Sequence, residues 1–220
     1  FMRRSIVFSH LNLSKILDKH EKGEPFFLYT GRGPSSDSMH VGHTVPFEFT
    51  KYFSLDDHLG IYRKLFNTRW LQDEKFMHSQ KIEIEDSKRY TKANAKDIIA
   101  VGFDMKKTFI FSDFEFIGGA FYENMCRMAK RITINQVKGT FGFNDSNNIG
   151  EFHFCATQSA AAFSTSFPHI FGTEKKKVAS IPCLIPCAID QDPYFRQCRE
   201  HAEKMKFKKP SLIHSIFLPA

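Results

Sequence analysis

Two histidines bracket a glycine at His40, Gly42 and His43, closing the stretch FFLYTGRGPSSDSMHVGH that begins at Phe26. Three residues apart on a helix, the imidazoles would share one face. Three chemistries fit the pair. They could ligate zinc, but zinc needs further ligands, and no Cys or His stands nearby at the required spacing. They could be surface histidines without a role. Or they could serve a phosphoryl group. An apolar strand, a glycine turn and a helix opening on histidines would place backbone N–H groups and imidazole donors around an anion. Gly42 leaves a bare backbone face against which a flat base could rest. That arrangement suits activation of an acid by ATP or transfer of a nucleotidyl group. The tetrapeptide alone does not choose among the three.

The elements that must position these residues are legible from hydropathy. Residues 1–25 read as a lead-in, with a short helix at NLSKILDKHEKG closed by Gly23. PFFLYTG reads as a buried strand. SMHVGHTVPFEFTKYF reads as a helix starting near Ser38 or Met39, with Pro46 in its early part able to kink it. A helix from near Glu83 ends in AKDIIAVGFD with Gly102 as its cap, and TFIFSD follows as a strand. FYENMCRMAKRIT is amphipathic and helical, IPCLIPCAID is an apolar strand, PYFRQCREHAEKMK is a helix, and SLIHSIFLPA is a last apolar strand. Strands that are apolar throughout and alternate with helices predict an α/β fold, a parallel sheet covered on both faces. Ligands of such sheets bind at the carboxyl ends of the strands, where YTGRG and IDQDP would lie.

Composition sets outer limits. The 220 residues include 25 Phe against one Trp, so any core is rich in phenyl rings. A net charge of +7 suits a phosphate-bearing partner, although the cations are scattered. GTEKKKVAS, residues 172–180, reads as a solvated loop rather than a nucleic-acid patch. Five cysteines without framework spacing read as thiols in a reducing compartment, and no metal site is expected. No apolar run is long enough to span a membrane, and the start lacks the apolar region of a secretory signal. An opening Phe rather than Met reads as part of something longer.

FFLYTGRGPSSDSMHVGH, DEKF, NAKDIIAVGFD, KTFIFSD, NQVKGTFGFNDS, FSTSFPHIF and CLIPCAIDQDPYFR, in this order, closely resemble tryptophanyl-tRNA synthetases of the eukaryotic and archaeal type. The resemblance runs from about residue 3 to residue 220 with one gap. It implies a class I, Rossmann-like (HUP-type) catalytic domain over residues 26–220, ATP with Mg²⁺, L-tryptophan and tRNA(Trp) as partners, a homodimer, and a cytoplasmic location. It places His40, Val41, Gly42 and His43 on the family's HIGH signature, with His40 and His43 stabilising the transition state at the α-phosphate. It places Thr30, Gly31, Arg32 and Gly33 on the mobile loop over ATP, and Asp190 near the ribose or at the Gln191 turn. For tryptophan it implies Tyr29 at the indole N–H, Glu74 at the ammonium, Gln158 and Gln191 at the polar end, and Phe195 packed near the ring.

Two departures qualify the match. Between TKY and DEKF, residues 52–76 lack the apolar parallel strand of the family, and LGIYRKLF alternates poorly and could be helical. A glutamine near the end of that strand in the family helps to read the indole, and its place falls near Arg69. A guanidinium there would be a buried cation beside an apolar ring, so no residue is carried over. Divergence, or a frame or exon error, would account for the gap. After HSIFLPA the family continues to a KMSKS-type loop and an anticodon-binding domain, and neither is present in the 220 residues. The expectation is a truncated catalytic domain, incomplete at its C-terminus, that aminoacylates poorly. The rivals are a non-catalytic fragment or pseudo-enzyme that binds tryptophan or ATP, a tyrosyl-tRNA synthetase, and another H-x-G-H nucleotidyltransferase.

Overall fold

In the computed structural model the described residues are 6–39, 44, 46–51 and 65–216. Six strands form one sheet: β1 (Val7–Leu11), β2 (Phe26–Arg32), β3 (Leu65–Leu71), β4 (Thr108–Ser112), β5 (Cys183–Ala188) and β6 (Ser211–Ser215). Their order across the sheet is β1-β6-β5-β2-β3-β4. Five run parallel, as the apolar character of β2, β4, β5 and β6 predicts, while β1 pairs antiparallel with β6 at the edge. The lead-in therefore supplies a strand as well as its helix. VFSHL is half-exposed in alternation, a weak hydropathy signal that pairing with β6 turns into an edge strand.

The parallel strands alternate their side chains between two cores. Phe27 and Tyr29 of β2 point to one face with Trp70, Phe111 and Ile185. Phe26 and Leu28 point to the other, with Leu184 and Ile213. The first face is covered by α3 (Gly119–Ala129), α5 (Ile149–Ala160) and α6 (Asp192–Ala202). α4 (Ile134–Phe141) starts on a capping box in which Thr133 and Gln136 satisfy each other's backbone N–H. The second face is covered by α1 (Leu13–Glu21), α2 (Ile84–Ala100) and the helical residues 46–51, among them Pro46. Gly23 and Gly102 follow α1 and α2 at φ +61° and +82°, the left-handed geometry that suits glycine after a helix.

The absent strand is the main correction. β3, with the sequence LFNTRWL, lies between β2 and β4 and pairs parallel with both. Its polar residues tolerate burial in different ways. Thr68 Oγ1 donates to the Leu28 carbonyl at 3.2 Å. Trp70 is fully buried and packs against Tyr29, Phe111, Phe121 and Phe154. Arg69 is also fully buried, with its guanidinium carbon 4.2 Å from the centre of the Phe103 ring. The buried cation beside a ring therefore exists, but on the α2 face, away from Tyr29. Two neighbouring ladders impose strand geometry on a sequence whose own pattern does not ask for it. Residues 52–64 lie outside the described ones.

Candidate active site

The cleft opens at the carboxyl ends of β2 and β5, and its volume is about 380 Å³. β2 has β3 on one side and β5 on the other, so the strand order reverses there, the place where open α/β sheets take ligands. Tyr29, Thr30, Gly31, Arg32 and Gly33 line one wall. Gln158 comes from α5, and Asp190, Gln191 and Phe195 come from the turn and helix after β5. These residues, far apart in sequence, share one cavity. Glu74 does not line it. Its Oε2 accepts from Thr157 Oγ1 at 3.3 Å beside the cleft. Burial raises the Glu74 carboxyl above its usual range, and nearby His153 partly offsets this. His40, Val41, Gly42 and His43 lie outside the described residues.

Tyr29 is almost completely buried, and Phe195 meets its ring edge-on at 5.8 Å. Burial raises its phenol well above the ordinary value, and the neighbouring Gln72 amide offsets only part of that. The Tyr29 hydroxyl has no well-formed hydrogen bond of its own. At the other end of the cavity, Gln158 Nε2 donates to Gln191 Oε1 at 3.2 Å, and Gln191 Nε2 donates to Asp190 Oδ2 at 3.0 Å. Gln158 Oε1, also buried, has no partner. An unpaired phenol and an unpaired amide oxygen are therefore held in a lining that also includes Ile185, Pro186 and Phe195.

Two cations stand at the polar mouth. Arg32 Nε donates to Asn94 Oδ1 at 3.3 Å while its Nη2 is buried without a partner, and burial lowers the guanidinium to about 10. Lys75 is lowered by burial, held up by Asp190 and pushed down again by Arg32. The loop after β2 is tied to α2, since Asn94 Nδ2 donates to the Ser36 carbonyl at 2.8 Å and Asp97 Oδ2 accepts from the Met39 N–H at 3.0 Å. Bare backbone at two glycines makes room for these side chains. A methyl group at Gly31 would stand 2.6 Å from Gln72 Nε2, and one at Gly33 would stand 2.7 Å from Lys75 Cδ.

Among the lining residues that the sequence expectations did not name are Gln72, Lys75 and His78. Gln72 follows β3 directly, and its N–H donates to the Arg32 carbonyl at 2.8 Å, which sets it level with the glycine turn of β2. An amide side chain thus stands just past the end of this strand, three residues beyond Arg69. Ending the strand at Leu71 would have found it. His78 packs edge-on to Phe154 at 5.4 Å, and burial lowers its imidazole.

No protein-family model matches the chain. Over its full length it is 54% identical to the cytoplasmic tryptophan–tRNA ligase of Saccharomyces cerevisiae, of which it covers 49%. It is likewise 54% identical to that of Schizosaccharomyces pombe, of which it covers 53%. Among solved structures, the tryptophanyl-tRNA synthetase of Trypanosoma brucei matches at 44% identity with a TM-score of 0.89, over all of this chain and 63% of that one. That of Encephalitozoon cuniculi, solved with tryptophan, matches at 41% with a TM-score of 0.88, over all of this chain and 60% of that one. Sheet order, cleft and neighbours together define a Rossmann-like synthetase catalytic fold. Over its whole length the chain is homologous to cytoplasmic tryptophan–tRNA ligases, and it spans about half the length of the curated relatives it matches.

Proposed function

We propose that the cleft binds L-tryptophan and ATP and supports formation of tryptophanyl-adenylate, the first step of charging tRNA(Trp). The observation that carries this reading is the pair of unpartnered polar atoms, Tyr29 Oη and Gln158 Oε1, in the lining of the cleft. An indole has one N–H donor and needs an acceptor, and the ammonium of an amino acid needs another. Tyr29, with Gln72 beside it, would read the indole. Phe195 would pack near the ring, and Gln158 and Gln191 would hold the polar end. Glu74, beside the cleft, would add negative charge for the ammonium.

ATP fits the polar mouth. Arg32 and Lys75 offer positive charge, and the bare backbone of Thr30, Gly31 and Gly33 allows close approach. Asp190 would face the ribose, and His40, Gly42 and His43 would face the α-phosphate and adenine. Among the described residues no cluster of acidic, histidine or cysteine side chains could cage a metal ion. Mg²⁺ would therefore arrive on the triphosphate, as is usual for this ion. The tryptophan carboxylate oxygen attacks the α-phosphorus and pyrophosphate leaves. The chain's own part is orientation and charge stabilisation.

Residues 26–220 are proposed as the catalytic domain and 1–25 as its lead-in. Charging of tRNA(Trp) and pairing into a homodimer rest on the family alone. The relatives are named cytoplasmic, and among the described residues no helix is long and apolar enough to cross a membrane.

Calorimetry with L-tryptophan, L-tyrosine and L-phenylalanine tests the pocket, and tryptophan-dependent ATP–pyrophosphate exchange tests the chemistry. Selective tryptophan binding with exchange is expected. Binding without exchange would assign the chain to the non-catalytic reading. Preference for tyrosine would move it to the tyrosyl enzymes, and binding of neither ligand would overturn the proposal.

A further inference from the structure

β1 lies in the lead-in, ahead of the residues proposed for catalysis, and neither β1 nor its partner β6 lines the cleft. Both strands are nevertheless tied by side chains to α6, the helix at whose start Gln191 and Phe195 face the cavity. Ser9 Oγ of β1 donates to His214 Nδ1 at 2.7 Å, and His214 Nε2 of β6 donates to Asp192 Oδ1 at 3.0 Å. The direction follows from the acceptor. A carboxylate oxygen can only accept, so Nε2 carries the hydrogen and the bare Nδ1 takes one from the serine. The path is enclosed, since the His214 and Asp192 side chains are only 5% and 7% exposed. Asp192 Oδ2 is held from its other side by Arg196 Nε at 2.5 Å.

A second tie lies two turns further along the helix. Arg199 Nη2 donates to Asn12 Oδ1 at 2.8 Å, and its Nη1 donates to the Pro210 carbonyl. Ser211 Oγ donates to the Asn12 carbonyl at 2.9 Å, which joins the end of β1 to the start of β6. Asn12 itself stands at φ +58°, a left-handed geometry that asparagine tolerates. Asp192 and Arg199 are seven residues apart, so both ties leave one side of α6. Phe195, in the first turn, meets the Tyr29 ring at 5.8 Å, and Gln191, just before it, accepts from Gln158. Any slide or rotation of α6 would carry both residues out of register with the opposite wall.

We propose that β1 is a positioning element of the amino-acid site: Ser9 and Asn12, acting through His214 and Arg199, hold α6 in the orientation that presents Gln191 and Phe195 to tryptophan. A wall fixed in advance spares the ligand the cost of ordering it. The inference rests on the reading of the cleft as a tryptophan site. It gives the lead-in a part in substrate binding through contacts that span 205 and 187 positions of sequence.

Calorimetry on the 220-residue chain compares L-tryptophan with ATP, whose proposed cations, Arg32 and Lys75, stand on other elements. Ser9→Ala with Asn12→Gly removes the β1 side of both ties, and glycine keeps the left-handed backbone. Tryptophan affinity should fall about fivefold or more, while ATP affinity changes less than about twofold. Ser9→Ala alone should move tryptophan affinity in the same direction, and Ser9→Thr, which keeps the hydroxyl, should restore it. His10→Ala, at an exposed position of the same strand, is the control and should alter neither affinity. Amide hydrogen exchange adds a readout without ligand: residues 189–196 should exchange faster in the double variant, and α3 at the wild-type rate. Emission from Trp70, the sole tryptophan, and a thermal melt report folding. Should the double variant not fold, Ser9→Ala must carry both effects by itself. Equal losses for tryptophan and ATP, or exchange at α6 that stays at the wild-type rate, overturn the proposal. A wild-type chain that binds no tryptophan overturns the reading of the cleft and this inference together. Wild-type binding with variants that bind equally well overturns this inference alone.

Discussion

Asp73 and Asp113 cap one another's helical turns. Asp73 Oδ1 accepts from the backbone N–H of Asp113 at 2.7 Å, and Asp113 Oδ2 accepts from that of Glu74 at 3.0 Å. The Trp70 indole N–H donates to the remaining Asp113 oxygen. This interlock fixes the turn after β3 to the turn after β4, and with it the backbone that carries Gln72, Glu74 and Lys75.

The interlock should respond to pH. Burial, then the charges of Asp73 and Glu74, raises the Asp113 carboxyl well above its ordinary value. Burial raises Asp73 as well. A raised carboxyl holds its proton in the folded chain when the unfolded chain has released it. Its stabilising contribution is complete below the unfolded value, about 3.9, and is lost as pH rises through the folded value. Asp113→Asn removes that titration. Melts of both proteins between about pH 5 and 8 should show the wild type losing stability relative to the variant as pH rises. A difference independent of pH would count against the shared burial of these acids.

Arg69→Met should stabilise the chain by about 1–4 kcal/mol in urea unfolding. The guanidinium has no exposure, burial lowers it to about 9, and its Nε and Nη2 have no partner. Methionine fills similar volume without the desolvation cost. A destabilised variant would mean that the cation is compensated after all.

Tyr29→Phe should separate stability from binding. Removing a buried, unsatisfied hydroxyl should leave the free protein unchanged or up to about 1 kcal/mol more stable. Tryptophan affinity should fall by about tenfold or more, because the indole N–H loses its acceptor. Calorimetry beside thermal melts reads both, and equal tryptophan affinity would remove Tyr29 from the indole contact.

Gly31→Ala and Gly33→Ala should divide the two substrates. The first forces the Gln72 amide aside and should weaken tryptophan binding. The second displaces Lys75 and should weaken ATP binding. Each should cost several-fold in the dissociation constant of its own ligand and little in that of the other. A matching loss in both would indicate a general distortion of the β2 loop.

Most of the sheet was legible because FFLY, TFIF, CLIPCA and SLI are apolar where parallel strands are buried on both faces. β3 was not. Asn67, Thr68 and Arg69 break the pattern, and only the register against β2 and β4 shows why they are strand residues. Gln72 was hidden for the same reason. Nothing in its immediate neighbours marks it, and it matters because it lies level with Arg32 on the next strand. Tyr29, Gln158 and Gln191 were visible through family motifs rather than local physics. Their spacing in sequence says nothing of the cavity they share.

The antiparallel edge bears on how the chain can fold. Residues 7–11 precede all the other described strands in sequence, yet their partners in the sheet are residues 211–215. Ser9 and His214, whose side chains meet at 2.7 Å, are 205 positions apart in sequence. Such a closure comes late, because its loop entropy is repaid only once the intervening strands are in place. Until then β6 presents an open, apolar hydrogen-bonding edge, the kind of surface on which strands from other chains dock. β1 therefore serves as the cover for β6, and the sheet is open to edge-to-edge association until that pairing closes.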